Sequence, residues 1–183
     1  MPVDDTLIKK LLADPRIEDF EESLIFQSQI LDKPEAAEIL VGLMHSESSI
    51  IAQRARRMLC LFHRPALKPV AKGLSLSGAL WRSNLLSILW TIISVHDFRE
   101  QTAMFEEVLP HVALLLQDPS DVLPAYKGQP EIEYEYRVCD EAYVFIQRLR
   151  DPKFDEDIFR YGQTEERDYE IRVIRSRLRI PIV

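Results

Sequence analysis

Between Tyr136 and Arg150 the apolar residues Val138, Cys139, Ala142, Tyr143, Phe145, Ile146 and Leu149 recur at helical spacing and make one broad face. Arg137, Asp140, Glu141, Gln147 and Arg148 fall on the other side. A helix with so wide an apolar face is not stable alone in water and must be covered by a partner and by a second neighbour. Any fold for this chain therefore has to bring other helices against this one from more than one direction.

The rest of the chain supplies them. Apolar periodicity predicts a short helix from Thr6 to Ala13, capped by Asp4 or Asp5, and a second from Ile17 to Leu31 with Glu18, Asp19, Glu21 and Glu22 near its positive end. Helices then come in pairs: Glu35 to Met44 with Ser49 to Phe62, Ala66 to Leu74 with Ala79 to Val95, and Thr102 to Gln117 with Tyr136 to Arg150. The pairs open near Pro34, Pro65 and Thr102, 31 and then 37 residues apart, a period that marks stacked helical hairpins. Beyond Asp151-Pro152, Phe154, Ile158, Phe159 and Tyr161 predict a short docking helix. Ile171, Ile174 and Leu178 predict an amphipathic terminal helix, with an extended reading of Arg175 to Ile180 left open. Only five glycines in 183 residues, with 46% apolar content, favour helix over a turn-rich sheet and one core over two. The expected organisation is a single domain over 1–183: a helical cap (1–33), three hairpins (34–150) and a helical closure (151–183).

The second helix of each pair carries an arginine early in its course, followed by apolar residues. The runs are Gln53-Arg54-Ala55-Arg56-Arg57-Met58-Leu59-Cys60, Trp81-Arg82-Ser83-Asn84-Leu85-Leu86-Ser87-Ile88, and Tyr136-Arg137-Val138-Cys139-Asp140-Glu141-Ala142-Tyr143. This resembles the HEAT-repeat family over roughly residues 34–150, with the run from Arg137 to Tyr143 the nearest match. The first two intra-pair turns carry serines where that family usually places an aspartate. The resemblance implies an all-α fold, a short right-handed α-α superhelix of HEAT-like hairpins. It further implies a non-enzymatic protein–protein interaction module, an adaptor, scaffold or immunity-type protein, with a shallow groove lined by the second helices. The residues it points to in that groove are Arg54, Arg82 and Arg137, with Asp140 and Glu141 beside them.

The third pair is interrupted by a long segment, Asp118 to Glu135, with three prolines and a glycine. A connection of this length in a compact helical chain is a place to look for function. Asp121, Tyr126, Glu131, Glu133, Tyr134 and Glu135 make it the candidate docking loop for a basic partner: from Asp118 to Glu141 seven acids stand against Lys127 and Arg137. A hard-cation cage would need more oxygen ligands and a tight glycine turn, so a solvated acidic edge is the favoured reading and no metal or other cofactor is expected.

The formal charge of −7 disfavours nucleic acid as a general partner, although Arg54, Arg56 and Arg57 with Arg64 and Lys68 form a local basic cluster. Cys60 and Cys139 lie in apolar helical faces and imply no disulfide framework. No basic leader and no apolar run of spanning length is present, which sets the expectation of a cytoplasmic protein away from the membrane. The alternative implied by the resemblance is a HEAT-like enzyme of the bilin-lyase or DNA-glycosylase type, with a pocket formed by His111, Asp140, Glu141 and Tyr143. Against it, Asp140 can pair with Arg137 one turn earlier, and Glu141 with Arg148 or with a neighbouring repeat.

Overall fold

The structure, a computed structural model, describes residues 5–14, 35–76, 78–122 and 137–180. The helix expected from Ile17 to Leu31 and the loop residues Tyr126, Glu131, Glu133, Tyr134 and Glu135 lie outside the described residues. Among the described residues there are nine helices and no strand; the pairing of Asp121 with Arg137 is an isolated antiparallel bridge. In chain order they are α1 (Asp5–Ala13), α2 (Glu35–Leu43), α3 (Ser49–Leu61), α4 (Arg64–Gly73), α5 (Ala79–Ser94), α6 (Phe98–Leu115), α7 (Val138–Arg150), α8 (Glu156–Arg160) and α9 (Thr164–Leu178).

Local chemistry sets the boundaries. Arg64-Pro65 opens α4, because proline in the first turn removes only an N–H that has no helical partner. The helix expected from Thr102 starts a turn earlier, at Phe98: the Asp97 carboxylate accepts hydrogen bonds from the Arg99 and Glu100 N–H groups and satisfies donors that would otherwise be orphaned. The terminal segment is helical through Leu178, opened by a reciprocal cap between Gln163 and Glu166, which excludes the extended alternative for residues 175–178.

The helices lie in two ranks. α2, α4 and α6 pack against one another in order, as do α3, α5 and α7, while each first-rank helix also packs on its second-rank partner. The core runs between the ranks, through Leu40, Leu59, Leu67, Val70, Leu89, Ile92, Val108 and Ile146, all with essentially no solvent exposure. Full burial of an aliphatic side chain contributes roughly 1.5–3 kcal/mol, so this column holds the ranks together. The α7 helix, whose wide apolar face demanded several neighbours, has them in α5, α6 and α9, and from Val138 to Ile146 all but Glu141 are buried. Its start is tied to the preceding turn: Val138 N–H donates to the Ser120 carbonyl (3.0 Å) and Cys139 N–H to that of Asp118 (2.9 Å).

Candidate functional site: a groove across the second-rank helices

The recurrent arginines are turned towards the seams between elements. The Arg54 guanidinium donates to the carbonyls of Leu12 (2.6 Å) and Asp14 (3.1 Å), closing the C-terminal end of α1. The Arg82 Nε donates to the Leu74 carbonyl at the end of α4 (3.0 Å), and its Nη1 pairs with the Asp118 carboxylate beyond α6. Arg82 thereby joins the second pair to the third. Burial pushes the Asp118 carboxyl up, but bonds from the Ser120 side chain and N–H, together with the Arg82 guanidinium, more than reverse this and hold it below its ordinary value.

Arg137 donates two parallel hydrogen bonds to Asp140, at 2.9 and 2.8 Å, and reaches Asp168 on α9 at 2.9 Å. The Asp140 bonds raise its pKa above the usual arginine value. Arg167, also on α9, donates to the same Asp140 at 3.0 Å. Asp140 is 1% exposed, Arg167 3% and Arg137 8%, so a carboxylate between two guanidinia is sealed where α9 docks on α7. Burial, with the nearby Asp140 carboxylate adding to it, pushes the adjacent Cys139 thiol up to about 11.

Next to this seam a groove with a cavity volume of about 480 Å³ crosses the second rank. Arg56 of α3, Ser83, Asn84, Ser87 and Trp90 of α5, Glu141 and Arg148 of α7, and Glu156, Asp157 and Arg160 of α8 line it. Glu141 accepts from both terminal nitrogens of Arg160, at 2.6 and 3.0 Å. The Arg160 Nε donates to Glu156 (2.6 Å), whose other oxygen pairs with Arg148. The Arg148 guanidinium lies 5.0 Å from the centre of the Trp90 ring, within cation–π range. This makes a wall of alternating charge ending on an aromatic face. Arg56 faces it from α3, with a long contact of 3.5 Å to the Ser87 hydroxyl, and no described carboxylate stands within ion-pair distance of it.

Of the sequence-derived candidates, Glu141 lines the groove; Arg54, Arg82, Arg137 and Asp140 do not, and Asp121 sits at the stem of the interrupted connection, bridged to Arg137. Glu141 pairs with Arg160 of α8, whereas Arg148, the in-helix partner considered for it, pairs with Glu156. Of the four residues of the alternative pocket, Glu141 lines the groove and Tyr143 lines a second cleft, and His111 and Asp140 line neither of these two cavities. The groove residues overlooked in the sequence carry one signal. Ser83, Asn84, Ser87 and Trp90 form a polar and aromatic stripe at i, i+1, i+4 and i+7 along a largely apolar α5.

The chain matches no family model, and comparison with curated proteins and with solved structures returns no match. No group of three or more His, Cys, Asp or Glu among the described residues could hold a metal ion. No helix among them is long and apolar enough to cross a membrane.

Proposed function

We propose that this chain is a short right-handed α-α superhelix of HEAT-like hairpins acting in the cytoplasm as a non-enzymatic interaction module, adaptor, scaffold or immunity-type protein. It holds a partner protein in the groove of its second-rank helices, with the acidic segment 118–135 as a flanking contact. The two-rank packing and the Arg82–Asp118 joint between consecutive pairs support the repeat architecture. The observation that carries the functional reading is the groove's balance of charge: three guanidinium groups against three carboxylates around Trp90, Ser83, Asn84 and Ser87. A polyanion would meet Glu141, Glu156 and Asp157 and be repelled, whereas a folded protein surface or peptide can satisfy mixed charges and pack on the indole.

A photo-crosslinking residue placed at Ser87, on the exposed side of α5, tests this in cell lysate against the same group at Leu76, outside the groove. The expected result is a discrete protein adduct from position 87 alone, diminished by Arg56→Glu and by shortening the 118–135 segment. A nucleic-acid adduct, or identical products from both positions, overturns the reading.

A further inference from the structure

A second cavity, of about 730 Å³, lies between the end of α7, α8 and the first half of α9 and shares no lining residue with the groove. The α8 helix divides them, sending Glu156 and Arg160 to the groove and Ile158 and Phe159 to this cleft. Its volume lies within the range of ordinary ligand pockets, ~300–1,000 Å³.

Its chemistry differs from that of the groove. The floor is aromatic: Tyr143 and Phe159 are stacked with centroids 4.3 Å apart, and Phe154 meets Tyr143 edge-on at 5.9 Å. At the mouth Ile158 is 74% and Tyr169 59% exposed, leaving apolar surface in water beside the floor. Around it stand the carboxylates of Asp151, Asp155, Glu165, Glu166 and Glu170. Several take neutral hydrogen bonds, such as that from the Ile158 N–H to Asp155 (3.1 Å) and from the Tyr143 hydroxyl to Glu170 (3.3 Å). None lies within ion-pair distance of a described cation. The cleft's own cations do not balance them, because Arg167 is engaged by buried Asp140 and Lys153 is one exposed charge. Charge is thus neutralised within the groove and left negative around an apolar floor in the cleft.

We propose that this cleft is a second docking site, one that takes a short cationic segment of a partner protein with apolar residues between its arginines or lysines. The apolar side chains would cover Ile158 and Tyr169, and the flanking cations would meet carboxylates that repel one another when the cleft is unfilled. A purely polar cation would leave the apolar mouth wet, and an uncharged apolar segment would desolvate carboxylates with nothing to offset them. The inference does not depend on the groove having a partner.

The probe is a fluorescein-labelled octapeptide of alternating arginine and leucine, titrated by anisotropy against the full chain, with an arginine–serine octapeptide as control. Saturable one-to-one binding of the first is expected, weakened about tenfold or more by Ile158→Ser and by Glu165→Lys, both at exposed positions, and unchanged by Arg56→Glu in the groove. Equal binding of the arginine–serine peptide means a charge effect only and overturns the proposal, as does insensitivity to both cleft substitutions. Sedimentation of the unlabelled protein supplies the remaining outcome: self-association abolished by Ile158→Ser makes a second copy the occupant and refutes a partner segment.

Discussion

Desolvating a carboxylate costs several kcal/mol, and Asp140, with 1% of its surface exposed, is compensated by guanidinia from two helices, Arg137 at the start of α7 and Arg167 on α9. Removing the acid takes from both guanidinia the carboxylate they share, in a place from which water is excluded, although Arg137 keeps Asp168. Asp140→Ala is therefore expected to cost about 3–5 kcal/mol in urea unfolding, the range for breaking one side of a buried pair. Adding Arg167→Met should recover part of the loss, because a buried cation that has lost its carboxylate goes with it. A loss below about 1 kcal/mol, the size of an exposed pair, would contradict a sealed triad. Half of this arrangement was legible in the sequence: Arg137 and Asp140 stand three residues apart, one helical turn, and their pairing follows from spacing. Arg167 was not, because it arrives from a helix 27 residues further on, where no local periodicity reaches. The same holds for Glu141: Arg148 is two turns away along the axis, about 10 Å, whereas Arg160 comes across from α8 to meet it.

At the scale of helices, what could be read was which residues face inward; what could not was how closely two backbones approach. Gly42 and Gly73 look alike in sequence, each near the C-terminal end of a first-rank helix. A methyl group at Gly42 would meet nothing within 4 Å, while one at Gly73 would lie 2.9 Å from Val41 Cγ1 and 3.2 Å from Leu85 Cδ1. Gly73 is where α2, α4 and α5 converge, and the branched Val41 side chain has little rotamer freedom to move aside. Gly42→Ala should raise stability by about 0.5–1 kcal/mol by stiffening the unfolded chain. Gly73→Ala should lower it by about 1–3 kcal/mol, overpacking outweighing the same gain. Opposite shifts in thermal midpoint check this pair; equal shifts would mean that the helices at Gly73 can separate without cost. The α6 boundary shows the same limit on local reading: apolar spacing placed its start at Thr102, and the Asp97 cap extends it to Phe98.

For the molecule as a whole, the all-helical class was legible because the spacing and width of each apolar face are properties of sequence, while the groove was not, because it forms only where α3, α5, α7 and α8 lie side by side. What unites the pairs laterally, besides the core, is a set of polar joints, and those between the second and third pairs include the half-buried Arg82 with Asp118 and the more exposed Lys68 with Glu107. The Arg82–Asp118 joint carries a pH dependence with a definite sign. The Asp118 carboxyl titrates in the folded chain below its ordinary value of 3.8, so the folded form binds fewer protons than the unfolded form across the interval between the two. Its stabilisation is complete above the ordinary value and disappears as pH falls through the lowered one, when the protonated acid no longer holds the Arg82 guanidinium. Urea midpoints measured from about pH 6 down to about pH 2 should fall more steeply for the wild-type chain than for Asp118→Asn, with the gap between them present near neutrality and closing in acid. Parallel curves would mean that the Arg82–Asp118 contact adds nothing to the hold between the second and third pairs, and that the arginine early in α5 lies at their seam without bonding it.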